Sequence, residues 1–275
     1  MMQNAHGRFP FGQPNTERPM RLPAQGLPSA LVLGVYPSAF HIGWRAGDQR
    51  ISALAVDVEP TVFWNGTDPN PDVLLDEWLA AVRHRADWGA VTVSRNGPSG
   101  SFLEDELLRP LGFDPKQVAF TDAVPWFFVK DGKGSQAAAT RDRFRPFAEA
   151  HRIHPGSLPA RPKPAGLVEI VASTERRESL TAEVVRAAAP CLITLGNEAL
   201  AAATTVADRV DGVPGTLTPD DYGAVGSITI GGHTMEFRPL AHPGLLRQQI
   251  RPEGAAATRW QLEYERWRRG LTSPD

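Results

Sequence analysis

The residues of this chain best suited to chemistry are His242-Pro243-Gly244, Asp122, Tyr36 and the carboxylates Asp57 and Glu59. A neutral histidine on a short loop donates an N–H to an oxygen on which negative charge develops; the competing role is to cap its own loop. Pro243-Gly244 lets backbone amides come close to a phosphate, because glycine has no Cβ. Asp122, when ionised, only accepts hydrogen bonds and so suits an amino group better than a carbonyl. Its alternative is a turn or N-cap aspartate. Tyr36 is no ready base at neutral pH, its reference pKa being about 10, although its ring can stack and its hydroxyl can orient water. An activating base then has to come from Asp57 or Glu59, at the end of a strand, or less readily from His41. Carboxylates at a strand end are also ordinary solvated turn residues.

Phe63 and Trp64 follow those carboxylates and offer an aromatic platform, with core packing as the equal alternative. Arg95-Asn96-Gly97-Pro98-Ser99-Gly100 precedes a helix and supplies backbone amides, a hydroxyl and a guanidinium for a phosphate. It is no Walker loop, since no Gly-Lys-Ser/Thr follows. Arg247 stands just beyond the His242 loop and is a second phosphate candidate. Lys130, Lys133, Arg141, Arg143 and Arg145 form either a basic strip or a solvated face.

These groups need a scaffold. Ala30–Val35 and Ile51–Val58 are apolar runs of strand length, and Asp72 opens a helix with Leu74, Leu75, Trp78, Leu79 and Val82 on one face. A helix over about 102–111 closes at Gly112, and Val118–Thr121 is a short strand leading into Asp122-Ala123-Val124-Pro125. Residues 130–165 read as weakly structured, with one helix near 140–151. A helix over about 177–188 leads into the strand Leu192–Leu195, which Gly196 ends before a helix over 198–203. Residues 205–225 read as loop, Ile228–Ile230 and Met235–Arg238 as a hairpin around Gly231-Gly232, and 258–269 as a helix with Trp260, Tyr264 and Trp267 on its packing face. Residues 1–28, with five prolines, read as an irregular arm, and 29–275 as a single domain. Alternating strands and helices predict a three-layer α/β/α sandwich with a mainly parallel sheet, its loops on one carboxyl rim.

Bulk properties narrow the field. A formal net charge of −2 over 275 residues gives no global field for a polyanion, so nucleic-acid contacts have to be local. The single cysteine, Cys191, excludes an intramolecular disulfide and a thiolate-held iron–sulfur cluster. Seven histidines without ligand spacing argue against zinc. No run is apolar enough for a membrane span or a signal peptide, so the expected place is the cytoplasm.

Four short patterns in order resemble the uracil-DNA glycosylase superfamily, from about Ala30 to Gln248: Gly34-Val35-Tyr36-Pro37, Thr121-Asp122-Ala123-Val124-Pro125, Ile193-Thr194-Leu195-Gly196-Asn197-Glu198-Ala199, and His242-Pro243-Gly244. The resemblance implies that fold and hydrolysis of the bond between a base and its sugar, with the base taken out of the stack. It implies His242 on the leaving base's carbonyl and Asp122 on the base edge. In that family the position of Tyr36 usually carries Asp, Glu or Asn, and that of Asp122 an asparagine. The aspartate favours an amino-bearing or modified cytosine over uracil, because it suits N4 of cytosine.

The expectation is therefore a monofunctional, monomeric DNA glycosylase without metal or organic cofactor, in repair or anti-phage defence. The alternatives are a catalytically silent nucleic-acid-binding module of the same fold, and a hydrolase or binder of small nucleosides.

Overall fold

The computed structural model describes residues 6–94, 96–132, 135–247 and 259–272. Its strands are β1 (Ala30–Gly34), β2 (Ala39–Ala46), β3 (Gln49–Val58), β4 (Ala90–Val93), β5 (Val118–Asp122), β6 (Cys191–Leu195), β7 (Arg209–Asp211), β8 (Gly226–Ile230) and β9 (His233–Leu240). Its helices are α1 (Pro71–Ala81), α2 (Pro98–Phe102, continuing as π-helix to Leu108), α3 (Gln136–Ala139), α4 (Arg145–His151), α5 (Pro164–Ala172), α6 (Thr174–Ala187), α7 (Asn197–Val206), α8 (Pro243–Arg247) and α9 (Arg259–Thr272). The chain forms two compact units.

One unit comprises Met20–Val35, Ser101–Val124 and Lys163–Asp275. It is mixed α/β, with a mostly parallel six-stranded sheet of order β5-β1-β6-β9-β8-β7. β5, β1, β6 and β9 run parallel; β8 and β7 continue the sheet antiparallel. The sequence explains this arrangement. β1, β5 and β6 are buried at every position, the pattern of strands covered on both faces. Gly231 and Gly232, at φ 56° and 77°, supply the left-handed pair that a two-residue β8–β9 turn requires. On α6, Arg176, Leu180, Val184 and Ala187 form one buried stripe. α5, α6 and α7 pack together, and α7 also packs on β1 and β6. β7 lies in a stretch expected to be loop and is too short to show a period; α5 lies almost wholly in residues 166–176, to which the sequence reading assigns no element, and it opens on Pro164, which suits a first helical position. Beyond β5, Arg21 exchanges backbone hydrogen bonds with Phe120 (2.8 and 2.9 Å) and lays its guanidinium 3.9 Å from the Phe120 ring centre. That contact covers part of the sheet edge.

The other unit comprises Met1–Pro19, Tyr36–Gly100 and Pro125–Pro162. Its sheet is antiparallel, of order β3-β2-β4. The expected strand at Ile51–Val58 is present as β3, but it pairs antiparallel with β2 instead of joining the parallel sheet. Asp57 and Glu59 therefore stand at the end of a strand of the antiparallel sheet. The signal for β2 was local: Phe40, Ile42 and Trp44 alternate inward, and Gly47, at φ 54°, turns the chain back. These three side chains, with Leu54, Val56, Trp64, Trp78 and Phe144, form the core. The described part of the proline-rich arm, residues 6–28, is mostly irregular yet anchored: Asn15 Nδ2 donates to Phe127 O (2.9 Å), and Phe127 N donates back to Asn15 Oδ1. The boundary expected at residue 28 falls inside the Met20–Val35 segment.

Candidate functional site

In the parallel sheet, Gly34 pairs with Asp122, Leu33 with Thr194 and Leu195 with Leu240. The patterns beginning at Gly34, Thr121 and Ile193 and the loop holding His242 thus leave the carboxyl ends of four adjacent strands, where open α/β sheets bind ligands. At the usual strand spacing, Asp122 and the His242 loop are about 14 Å apart along that edge.

Gly196 and His242 meet directly. Gly196 N donates to Leu240 O (2.7 Å), and a Cβ on Gly196 would come 3.2 Å from the His242 Cβ. Gly196 also sits at φ 85°, a second reason for glycine there. The exposed His242 ring accepts the Gly244 N–H at Nδ1 (2.9 Å), and its carbonyl accepts from Leu245 N as α8 begins. The loop-capping role and a donor role are compatible here. With the Nδ1 lone pair engaged, the neutral ring carries its proton on Nε2. Pro243 is buried, Gly244 half-buried. Arg247 closes α8, and its side chain lies outside the described residues.

Asp122 is buried at the end of β5. Its turn is held by Arg176, which the sequence analysis did not single out. Arg176 Nη2 donates to Asp122 O (2.7 Å), Nε to Ala123 O (2.8 Å) and Nη1 to Glu183 Oε1 (2.9 Å). Thr121 Oγ1 donates to the same Glu183 carboxylate. A signal existed: Arg176 is the one cation in the apolar stripe of α6. Asn197 clasps the following loop, donating to Leu217 O (3.1 Å) and accepting from Leu217 N (2.7 Å).

The remaining candidates belong to the antiparallel unit. Tyr36 is half-buried, with Phe128 edge-on at 5.7 Å and the Arg161 guanidinium 5.2 Å from its ring centre. Phe128 in turn neighbours Trp126, on which His6 stacks at 3.8 Å. This aromatic row was not legible as a unit, because its members are far apart in sequence. Glu59 is buried, and its Oε1 accepts from Ser38 N (2.9 Å), in the turn just after Tyr36-Pro37. Asp57 Oδ1 accepts from Val58 N (2.7 Å), and burial pushes its carboxyl above the ordinary range against the opposing pull of Arg18. The half-buried His41 lies 2.7 Å from Gln136 through Nε2, and burial lowers its pKa.

Two expectations are overturned. Trp64 is core, 2% exposed and packed on Phe40, so it offers no stacking platform; Phe63 is half-buried at φ 53°. Asn96 makes no phosphate clamp: its Oδ1 accepts from His41 N (2.9 Å) and its Nδ2 donates to His41 O (2.9 Å) and Ser94 O (3.0 Å). Gly97 and Gly100 serve backbone packing, since a Cβ on either would strike backbone atoms of residues 63–66. Ser99 is half-buried in the first turn of α2, and Arg95 lies outside the described residues. Of the basic strip, Arg141 pairs with Asp142 and Arg143 donates to Arg50 O, while Lys133 is outside the described residues.

No group of three or more His, Cys, Asp or Glu among the described residues is placed to hold a metal ion, and no described helix is long and apolar enough to cross a membrane. No protein-family model and no curated protein matches the chain.

Proposed function

We propose that this chain is a DNA glycosylase of the uracil-DNA glycosylase type, a cytoplasmic monomer built as a three-layer α/β/α sandwich. It hydrolyses the N-glycosidic bond of an amino-bearing or modified cytosine, in repair or anti-phage defence, without metal or organic cofactor. The observation that carries this reading is that the four strands bearing its motifs are parallel neighbours, with His242 held in one tautomer on the last.

In this mechanism the C1′–N bond breaks as water bonds to C1′. The electron pair leaves with the base, and His242 donates from Nε2 to the carbonyl oxygen where that charge collects. Asp122 accepts from the exocyclic amine. The attacking water releases its proton to solvent. DNA is gripped through local contacts, Pro243-Gly244 and Arg247 among them. The test is release of free base from oligonucleotides carrying uracil, hypoxanthine, xanthine or modified cytosine.

The second reading, a silent nucleic-acid-binding module, draws on Tyr36 standing where the superfamily usually has an acid or amide. DNA binding with no base released from any of these oligonucleotides would select it.

A further inference from the structure

The antiparallel unit carries a row of rings and cations that the mechanism above does not use. No helix or turn interrupts Phe127 to Lys130, and Val129 forms a β-bridge with Ala160. Phe127 and Val129 turn into a small core with Phe9, Ala39 and Val58. By the alternation of an extended chain, Phe128 and Lys130 stand on the opposite face. The N-terminal arm and residues 157–161 lie alongside: Ser157 N donates to Arg8 O (2.7 Å), Val129 N to Pro159 O (3.0 Å) and Arg161 N to Val129 O (3.0 Å). Stretches far apart in sequence thus bring the exposed residues Arg8, Lys130 and Arg161 near one another.

Rings accompany these cations. His6 lies flat on Trp126, with 3.8 Å between centres and 9° between planes. Trp126 neighbours Phe128 at 6.1 Å, and Phe128 meets Tyr36 edge-on. Phe128 is buried, whereas His6, Trp126 and Tyr36 keep partial exposure. The Arg161 guanidinium, 5.2 Å from the Tyr36 ring centre, is within cation–π reach. Residues 125–162 hold seven Lys and Arg against three Asp and Glu, a net charge of +4 in a chain of net −2. Glu17, 3.4 Å from His6 Nε2, is a carboxylate beside the row. Cations that hold a phosphate backbone beside aromatic faces that stack bases are how proteins grip single strands. A duplex keeps its bases stacked on one another and offers the rings nothing. An acidic peptide meets the cations and leaves the rings unused. We propose that this surface binds single-stranded DNA, with bases on Trp126, His6 and Tyr36 and phosphates on Lys130 and Arg161.

The choice of DNA over RNA rests on the glycosylase reading; the surface itself does not, and its test involves no base release. The experiment is anisotropy titration of the full chain with probes of about 15 nucleotides, the upper range of a single-strand site. The probes are oligo-dT, its duplex with oligo-dA, oligo-U, and an abasic strand with the same phosphates and no bases. Oligo-dT should bind about tenfold or more tightly than the duplex and the abasic strand, because it alone of the three offers unpaired bases. Trp126→Ala should weaken oligo-dT by about 5- to 100-fold, the loss of one stacked base, and Trp126→Phe should retain most of the affinity. Lys130→Gln and Arg161→Gln should each reduce the salt slope by about 0.7 while preserving the preference for oligo-dT over the abasic strand. The comparison of probes on the parent protein decides the matter even if a variant fails to fold. The proposal is overturned if oligo-dT does not bind, if the duplex or the abasic strand binds as tightly, if oligo-U binds more tightly, or if folded Trp126→Ala stays within twofold of the parent. Preference for oligo-dT without base release from any substrate would remove the glycosylase reading and leave this surface standing.

Discussion

At His242 the hydrogen bond from Gly244 N to Nδ1 does two jobs, starting α8 and selecting the tautomer with its proton on Nε2. Under the glycosylase reading, His242→Ala should lower base release by about 10²–10³, the loss typical of one donor to a developing oxyanion. DNA affinity should barely change. Single-turnover base release with a parallel binding titration checks both; a rate within twofold of the parent leaves His242 as a loop cap alone. Asp122 makes a separate claim at this scale. Asp122→Asn replaces an acceptor with a group that also donates, so uracil release should rise relative to the amino-bearing base. The mismatch removed is about 1–3 kcal/mol for a buried polar group facing a like-signed oxygen. The ratio of release from paired uracil and cytosine-derivative oligonucleotides measures it, and an unchanged ratio assigns Asp122 to its turn.

Between elements, α6 and β5 are joined by a buried cation. Arg176 satisfies two carbonyls of the Asp122 turn and one carboxylate at once. Arg176→Met keeps length and apolar stem but leaves those acceptors buried without a donor. It should destabilise the protein by about 3–5 kcal/mol in urea unfolding, the cost of removing one partner of a buried charged pair; a loss below about 1 kcal/mol would mean that water replaces the guanidinium. On β2, His41 is held by the Asn96 clamp and by Gln136. Burial depresses its pKa in the folded chain, so its contribution is present above the ordinary value of about 6.5 and is lost as pH falls through the depressed one. His41→Gln should flatten the decline in melting temperature between pH 7 and pH 5. An identical decline in both proteins would assign the acid limb to other groups.

For the whole molecule, a formal net charge of −2 means that the DNA binding required by the glycosylase reading would rest on local contacts. Such contacts still release counterions, and log K should fall with log salt at a slope of about −0.9 per neutralised phosphate. A fluorescence-anisotropy salt series measures it; a flat series would favour a small-nucleoside ligand over DNA.

The sequence by itself determined the parallel core. Buried strands such as Leu31–Leu33 and Leu192–Leu195 read as continuous apolar runs, their ends are marked by Gly34 and Gly196, and α1 and α6 carry their periodicity openly. Local chemistry repeats along the chain, so local reading recovers it. Only the tertiary structure decided the rest. It put β3 in an antiparallel sheet, because strand partners are chosen by packing across the fold. It buried Trp64 and turned Asn96 onto the β2 backbone, since a side chain's role depends on which backbone groups lack partners nearby. And it brought Arg18, from an irregular arm, into one cavity with Asp57 and Trp78, where no period or spacing in the chain relates the three.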